Sequence, residues 1–366
     1  MQKVNVAVVG VGNCASSLMQ GVSYYARTDK SSGLITEEIG GYRIEDVNFV
    51  LGIDVDARKV GISLNKAIFS APNNTKIFHS DVDCGDAKVI MGPVLDGVAS
   101  HMVQAGERGF MLADSAEPIK ADIVDALRAS RTDVMLNFLP VGSQKASEFY
   151  MECALEAQVG VVNCIPVFIA SDKEWEKRFR LSGIPIVGDD IKAQVGATII
   201  HRTLSNLFAA RGAKIERTYQ LNTGGNTDFM NMLDRERLSD KKESKTQAVQ
   251  AALAERLTDE NILIGPAEYV AWQNDNKVCF LRLEGTQWGD VPMNLELRLS
   301  VEDSPNSAAC VVDALRYCKQ ALDRGEGGAL VLPSALYCKH PPEQMEESLA
   351  CDLLRQQDVA MASAAE

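Results

Sequence analysis

Three lysines cluster within about one and a half helical turns of the stretch "LSDKKESKTQAVQ", residues 238–250, in a chain whose formal net charge is -13. On a helix, like charges four residues apart repel by about 0.2–0.5 kcal/mol per pair. A lysine beside other cations and at the positive end of a helix is a weaker base, available as a neutral amine for proton transfer. A charged one can pair with phosphate. The chemistry expected of Lys241, Lys242 and Lys245 is one of these two, although most such charge runs are only solvated faces.

The residues around this cluster predict where it sits. Ser244 and Gln247 match a capping box, S-x-x-Q, which predicts a helix over 245–257 with Lys245 in its first turn. Upstream, "NTGGNTDF" (222–229) is a glycine turn rich in hydrogen-bonding side chains.

A second candidate site follows the first apolar run of the chain. The segment "GVGNCASS", residues 10–17, has the spacing G-x-G-x-x-A and contains Asn13 and Cys14. Gly10 permits a tight turn, Gly12 lets a pyrophosphate approach the backbone, and Ala15 keeps helix and strand close. Because the motif joins a predicted strand to a helix, it predicts dinucleotide binding at that helix N-terminus.

An acidic residue that binds the adenosine ribose is expected to end the second strand, about 20 residues after such a loop. Asp54 ends the run "FVLGID" but lies 44 positions beyond Gly10, and residues 24–43 account for the excess as an inserted loop. A carboxylate there favours NAD over NADP because it repels an extra phosphate. In the alternative interpretation Asp54 only caps a turn.

A carboxylate pair stands in "GDDIKAQVGATIIHRTLSNLFAARG", residues 188–212. Asp189 and Asp190 either favour a helix N-terminus electrostatically or belong to a site beyond the carboxyl ends of parallel strands. In the second case, free backbone N–H groups from Ala193 to Gly196 could bind a phosphate. The residue pattern leaves both interpretations open.

The elements that must position these residues alternate between strand and helix in the first half of the chain. Apolar runs predict buried strands, and helical periodicity separates them, which indicates a parallel sheet with helices on both faces. The predicted strands are 4–10, 47–55, 133–140, 160–167 and 184–190, and the predicted helices are 118–130, 142–157 and 172–182.

The middle of the chain has a different pattern. Residues 214–226 and 277–301 alternate apolar and polar side chains, which predicts an antiparallel sheet with one covered face. A helix over 303–325 follows, with Ser304 as its cap and Gly325 at its end, and then a short strand at 328–333. We therefore predict an α/β fold in which a doubly wound parallel (Rossmann-type) sheet is interrupted by an inserted α+β domain. Its predicted parts are an NAD-binding domain (1–200), a catalytic and oligomerisation domain (201–303) and a returning C-terminal segment (304–366).

The composition argues against some classes of binding partner and indicates the cellular compartment. The acidic balance, without a basic patch beyond the lysines, argues against nucleic acid and anionic membranes. No apolar run reaches the 18 residues of a membrane span, and the N-terminus does not resemble a signal peptide. Nine cysteines without a C-x-x-C pair are typical of a reducing cytoplasm. The four histidines have no metal-ligand spacing.

The residues alone thus predict an NAD-binding α/β protein and do not separate a dehydrogenase from an isomerase that uses NAD transiently. Several motifs add a resemblance that extends from about residue 4 to about residue 345. The motifs are "VGVGNCASSL", "PIVGDDIKAQVGAT", "LNTGGNTDFMNMLDRERL", "KKESKTQAV", "LRLEGTQWGDVPMNLE" and "DSPNSA". With these motifs in this order and spacing, the chain resembles the short prokaryotic form of myo-inositol-1-phosphate synthase.

The resemblance implies a reaction without net redox change, which opens inositol and inositol-phospholipid biosynthesis. D-Glucose 6-phosphate becomes 1D-myo-inositol 3-phosphate through oxidation of carbon 5 by NAD, enolisation at carbon 6, aldol attack on carbon 1 and re-reduction. An enolate, two carbonyl oxygens and a phosphate concentrate negative charge in one pocket, which fixed ammonium groups stabilise. An ordinary NAD-dependent dehydrogenase of a small hydroxy or amino acid leaves the lysines unexplained. A non-catalytic NAD-binding regulator would be favoured if any of Lys241, Lys245, Lys277 or Asp190 were replaced, and none is.

Site residues carry over by matching motif. Lys241 and Lys245 take the acid/base and oxyanion roles, Lys277 meets the substrate, and Lys339 returns to the site with the C-terminal segment. Asp190 orients a lysine or a hydroxyl group, and Asp228 lies near the nicotinamide. The remaining cofactor-site residues are Asp189, Ala193, Gln194, Lys241 and Asp303, with Gly196 also lining this region.

One position departs from the family pattern, because Ala193 stands where relatives often carry a serine, and one hydroxyl contact is thereby in doubt. The resemblance also implies a homotetramer formed through the inserted sheet. It also implies that a monovalent or divalent cation assists the reaction in some family members. The sequence does not indicate which kind of cation applies here.

Overall fold

The protein contains a seven-stranded sheet in which every described pair of strands is parallel. The structure, a computed structural model, describes residues 3–234, 246–253 and 255–365. The strand order is β13-β8-β7-β6-β1-β4-β5. The strands are β1 (Val4–Val9), β4 (Val47–Asp54), β5 (Val89–Met91), β6 (Val134–Asn137), β7 (Gly160–Asn163), β8 (Pro185–Val187) and β13 (Gly328–Ala329).

Helices cover both faces of this sheet, as the alternating apolar runs predict. Val6 and Val8 of β1 belong to one core cluster, with the first helix and a long late helix, whereas Ala7 and Val9 belong to the opposite cluster. Side chains of successive strand residues point to opposite faces, so both faces of β1 must be apolar. The helices are α1 (Asn13–Tyr25), α2 (Leu64–Ala67), α3 (Ser100–Gln104), α4 (Lys120–Ala129), α5 (Gln144–Ala157), α6 (Lys173–Leu181), α7 (Ala197–Ala210), α8 (Thr227–Asn231), α9 (Asp303–Asp323), α10 (Val331–Tyr337) and α11 (Glu347–Ala365). The predicted α/β fold class with a doubly wound sheet is confirmed.

The second sheet is mixed, because a strand that the sequence did not predict joins, in parallel, the antiparallel strands predicted within 214–226 and 277–301. Its order is β10-β9-β11-β12, and its strands are β9 (Lys214–Gly224), β10 (Ile262–Tyr269), β11 (Asn276–Thr286) and β12 (Pro292–Glu302). β11 pairs antiparallel with both β9 and β12, but β10 pairs parallel with β9. The sequence analysis missed β10, whose pairing is set by a long connection rather than by a hairpin. A small hairpin, β2 (Glu38–Ile39) and β3 (Tyr42–Arg43), lies in the predicted inserted loop.

Three local predictions need correction. Ser304 does not cap α9, which begins at Asp303, because its hydroxyl donates to Asp275 Oδ1 at 2.9 Å. The predicted strand 328–333 is shorter, since α10 starts at Val331. Among the described residues of the predicted helix 245–257, those at 246–250 are helical, and the Gln250 side chain then closes a loop with the backbone of Leu257. Ser244 of the proposed capping box lies outside the described residues.

Candidate active site at the strand ends

A cavity opens at the carboxyl ends of β1, β4 and β6 and extends to the second sheet. In the order β5-β4-β1-β6-β7-β8, strand connections leave in opposite directions from β1, and ligands of open α/β sheets bind at such a switch point. Most residues expected at the site line this cavity. They are Gly10, Gly12, Asn13, Cys14, Asp54, Asp190, Ala193, Asp228, Lys277, Asp303 and Lys339.

The glycine loop has the geometry that a dinucleotide requires. Gly10 has φ +89°, and a Cβ there would lie 2.6 Å from the carbonyl oxygen of Phe138 on the neighbouring strand end. A Cβ at Gly12 would meet no heavy atom within 4 Å, so the cavity reaches this backbone directly. Ala15 is fully buried between α1 and the sheet. The α1 N-terminus is thus open to a pyrophosphate.

Asn13 and Cys14 face the cavity with side chains already engaged. Asn13 Oδ1 accepts from the N–H of Asn74 at 2.8 Å, and its Nδ2 donates to Asn74 Oδ1 at 2.7 Å. Burial, with Asp275 and Asp303 nearby, raises the pKa of the Cys14 thiol to about 12. At neutral pH Cys14 is therefore a protonated packing group rather than a nucleophile.

The Asp54 carboxylate supports the glycine loop. Its Oδ2 accepts from the N–H of Val11 at 2.8 Å and its Oδ1 from the N–H of Val55 at 2.7 Å. Asp54 therefore caps a turn, as the alternative interpretation proposed, and it also borders the cavity. Its hydrogen bonds connect the glycine loop to the end of β4.

Lys59 is a site residue that the sequence analysis missed. Its side chain is 2% exposed, and Nζ donates to the carbonyl oxygen of Val11 at 2.8 Å and to Asn73 Oδ1 at 2.9 Å. Nζ also lies 3.9 Å from Asp54 Oδ2. Burial lowers the pKa of Lys59, and the charge of Asp54 opposes that shift. The sequence offered one weak indication of this contact, namely that a lysine follows shortly after Asp54, the predicted ribose-binding carboxylate.

Asp275 is a second missed residue, and it joins the two sheets. It is 1% exposed, and its carboxylate accepts from Thr75 Oγ1 at 2.7 Å and from Asn226 Nδ2 at 2.9 Å, besides the Ser304 hydroxyl. Burial first, and then the charge of Asp303, raise its pKa. Asp275 links the helix that carries Asp228 to the start of α9, and no local motif marks it.

The two adjacent carboxylates point to different places. Asp189 is fully buried, does not line the cavity, and accepts from the N–H groups of Ile169, Ala170 and Ser171. Burial raises its pKa to about 6, against these hydrogen bonds. Asp190 has φ +62° and faces the cavity, where its Oδ1 accepts from Lys339 Nζ at 2.7 Å. Since α7 starts only at Ala197, the helix-terminus interpretation of the pair is wrong.

The backbone N–H groups from 193 to 196 are only partly available. Gln194 N–H donates to the carbonyl oxygen of Asn306 at 2.7 Å, and Val195 N–H donates to Asn306 Oδ1 at 3.1 Å. The Gln194 side chain points away from the cavity, to Gly33 at 2.8 Å. The cavity meets Ala193 and residues 196–199 instead, which include the first turn of the 14-residue helix α7. That turn presents unpaired donors to an anion.

Lys277 supplies a fixed positive charge beside the glycine turn. Nζ lies 3.1 Å from Asp303 Oδ1 and 6.0 Å from the ring centroid of Phe229. Burial opposes its charged form, but the charges of Asp303 and Asp228 outweigh burial and raise the pKa of Lys277. Lys277 is therefore a cation at working pH, suited to a phosphate or a developing oxyanion.

Lys241, Lys242 and Lys245 lie outside the described residues, which stop at 234 and resume at 246. Met232, shortly before this gap, lines the cavity. Within the described part of the chain, no three His, Cys, Asp or Glu side chains are grouped so that they could hold a metal ion.

Comparison with known proteins decides the family. A profile described as myo-inositol-1-phosphate synthase matches residues 196–304. The chain is 50% identical over 355 residues to the inositol-3-phosphate synthase of Mycolicibacterium smegmatis, which covers 95% of this chain and 96% of the relative. The chain belongs to the inositol-3-phosphate synthase family.

Two further likenesses agree with membership of the inositol-3-phosphate synthase family. The Mycobacterium tuberculosis H37Rv inositol-3-phosphate synthase is 51% identical over 351 residues, 95% of this chain and 94% of that one. A solved myo-inositol-1-phosphate synthase-related protein from Thermotoga maritima has a TM-score of 0.81 at 23% identity, covering 98% of each chain. The second likeness shows a shared fold. The resemblance read from the motifs is thereby confirmed.

Proposed function

We propose that this chain converts D-glucose 6-phosphate to 1D-myo-inositol 3-phosphate with NAD as an internal redox cofactor. The observation that carries the proposal is the 50% identity to an inositol-3-phosphate synthase across 95% of the chain. The cavity supports it, because a dinucleotide loop, the first turn of α7 and two partly buried lysine–carboxylate pairs border one space.

The residues at the cavity fit NAD. When bound, NAD takes two electrons from the substrate and returns them to the product. The Gly10–Gly12 backbone and the α1 N-terminus would hold its pyrophosphate, and Asp54 would bind the ribose, with Lys59 beneath the loop. Asp228 and Asp303 would lie near the reacting end of the cofactor.

The cationic groups would bind the substrate, transfer protons and stabilise oxyanions. The first turn of α7 and Lys277 would bind the phosphate or a ring oxygen, since both are positive. Lys339, paired with Asp190, would move a proton or stabilise an oxyanion, and Lys241 and Lys245 would complete the set. Asp189, without access to the cavity, instead binds the backbone of residues 169–171 and so anchors the segment that carries Asp190.

Four expectations from the sequence stay proposals. They are the domain boundaries at 200 and 303, a homotetramer formed through the second sheet, a cytoplasmic location and an assisting monovalent or divalent cation. The second sheet offers exposed apolar side chains for the tetramer, among them Phe280 (43% exposed) and Leu263 (47% exposed). No described helix has the length and apolarity needed to cross a bilayer. Activity after chelation, with each ion restored in turn, tests the cation.

The test is phosphorus and proton NMR of the purified protein with glucose 6-phosphate and sub-stoichiometric NAD. We expect many turnovers to inositol phosphate per NAD and no accumulation of NADH. An ordinary dehydrogenase would instead stop after one equivalent of NAD. NAD binding without any product would contradict the proposal and call for a screen of other polyols and hydroxy acids.

A further inference from the structure

The pairing of Lys339 with Asp190 depends on a short two-stranded ladder. Asp189 and His340 exchange N–H···O hydrogen bonds of 3.0 Å in both directions, and Lys339 N–H donates to the carbonyl oxygen of Asp190 at 2.7 Å. At the other end, Lys192 N–H donates to the carbonyl oxygen of Tyr337 at 2.7 Å. The segment after α10 is therefore held against the segment that carries Asp190.

The side chain of Lys192 fixes the end of α10 from which this ladder starts. Nζ donates to the carbonyl oxygens of Ala335 at 2.8 Å and of Leu336 at 3.1 Å. Carbonyls at a helix C-terminus lack intrahelical partners, and a cation placed there satisfies them. Lys339 follows only two residues after Tyr337, where α10 ends. A shift of the helix end would move Lys339.

Lys192 has a counter-ion on the next helix, a glutamate whose side chain is 24% exposed. Nζ lies 2.7 Å from Glu347 Oε1, at the start of α11, and Glu347 also lies 3.7 Å from Arg202 Nε on α7. The side chains of Lys192 and Arg202 are 1% and 3% exposed. Burying two cations against one carboxylate is costly, and a well-packed apolar trio would usually be at least as stable. The network is therefore poorly explained by stability alone.

We propose that Lys192 is a positioning residue that sets the placement of Lys339 against Asp190, with Glu347 as its counter-ion. Lys192 borders the cavity, but its Nζ is engaged with the carbonyl oxygens of Ala335 and Leu336 and with Glu347, so we assign it no step of the reaction. The part of this inference that concerns turnover rests on the proposed function, whereas the placement of Lys339 can be measured without it.

The decisive variant is Lys192→Met, because it leaves Glu347 and Arg202 as a balanced ion pair and removes only the clamp on α10. We expect the melting temperature and the calorimetric affinity for NAD to stay close to those of the unsubstituted protein. We expect kcat to fall by about 10²-fold, the effect of a misplacement near 1 Å, with little change in KM. Parental kcat in a folded variant would overturn the inference, and so would a loss of kcat that merely follows a loss of folded protein.

A second readout does not need turnover. Trinitrobenzenesulfonate labels lysine amines, and peptide mass spectrometry gives the rate at each site. Lys339 should be labelled faster in Lys192→Met than in the parental protein, because its pairing with Asp190 is loosened. Exposed Lys177 is the internal standard and should be labelled equally in both. Equal labelling of Lys339 in both would contradict the proposed positioning.

Glu347→Gln tests the counter-ion. It leaves two buried cations together, so we expect a lower melting temperature together with a lower kcat. Glu343→Gln is the matched control, since it makes the same change at an exposed position of the same segment. Full stability and full activity of Glu347→Gln would contradict the counter-ion role. An unsubstituted enzyme that makes no inositol phosphate would overturn the proposed function instead, and the labelling rates would still decide the positioning of Lys339.

Discussion

Lys339 Nζ lies 2.7 Å from Asp190 Oδ1, although 149 positions separate the two residues in the chain. Asp190 follows the last strand before α7, and Lys339 arrives only after the chain has built the second sheet and α9. The site therefore closes only when the C-terminal segment has docked on the parallel sheet.

Replacing Lys339 with methionine should remove turnover and spare the cofactor. We expect Lys339→Met to lower kcat by about 10²- to 10⁴-fold, the usual contribution of a proton-transferring group. NAD affinity should not change, because the glycine loop lies apart from this ion pair. Steady-state kinetics and calorimetry measure the two effects, with exposed Lys177→Met as the control. A kcat within experimental error of the parental value would remove Lys339 from the reaction.

The two loop glycines should respond differently to alanine. At Gly12 a Cβ meets no protein atom, so Gly12→Ala should fold normally and bind NAD about tenfold or more weakly, a loss near 1.4 kcal/mol. At Gly10, with φ +89° and the Phe138 carbonyl oxygen 2.6 Å away, alanine should destabilise the fold by at least about 1–2 kcal/mol. Thermal melts and NAD titrations separate the two cases. Equal NAD affinity in Gly12→Ala would place the pyrophosphate elsewhere.

Lys59→Met should weaken NAD binding through the loop. The substitution removes two hydrogen bonds from a buried ammonium, one to Val11 and one to Asn73, and leaves Asp54 without its nearby cation. Charged hydrogen bonds contribute about 1.5–3 kcal/mol, which corresponds to roughly a 10- to 100-fold rise in the NAD dissociation constant. Lys66→Met, an exposed change on α2, is the control. A stable Lys59→Met protein with parental NAD affinity would contradict this role.

His201 should make the protein sensitive to mild acid. Its ring is fully buried, Nε2 lies 2.8 Å from the Thr218 hydroxyl, and burial lowers its pKa from 6.5 to about 4. Between these pH values the unfolded chain binds the proton and the folded chain does not, so the parental protein loses stability as the pH falls. The loss is at most about 3 kcal/mol.

The variant His201→Gln should lack this part of the pH dependence. Urea unfolding of both proteins from pH 7.5 to pH 4 measures it, and their difference above pH 6.5 should be constant. Parallel curves down to pH 4 would show that His201 titrates normally in the folded protein.

Lys245→Ala should abolish turnover and leave NAD binding nearly intact. The prediction rests on the resemblance and on the motif "KKESK", since the residue lies outside the described part of the chain. Lys177→Ala, the same change at an exposed lysine on α6 to which no role in the reaction is assigned, is the control. Weak NAD binding by Lys245→Ala, measured by calorimetry, would contradict the proposed division of labour.

The cofactor half of the site was predictable because its signals are local. Alternating apolar runs indicate buried parallel strands, and Gly10, Gly12 and Ala15 stand at the spacing that joins a strand to a helix around a pyrophosphate. Asp54 was identifiable for the same reason, since it ends a recognisable strand. Here residue type and spacing alone determine backbone geometry.

The other half depended on contacts between distant segments. The Asp189 carboxylate binds the backbone of residues 169–171 whereas the Asp190 carboxylate meets Lys339, and no motif around the pair predicts either contact. Lys59 and Asp275 carry no sequence signal strong enough to separate a buried polar link from a surface residue, and the parallel pairing of β10 follows a long connection.

By itself the sequence determined most strands of the parallel sheet, the cofactor loop and the family, because periodicity and short motifs act within one segment of the chain. Only the tertiary structure decided which carboxylate meets Lys339, which lysines are buried and which backbone donors remain open. Those outcomes depend on desolvation and on the register between segments that are far apart in the chain, and neither is encoded at any one position.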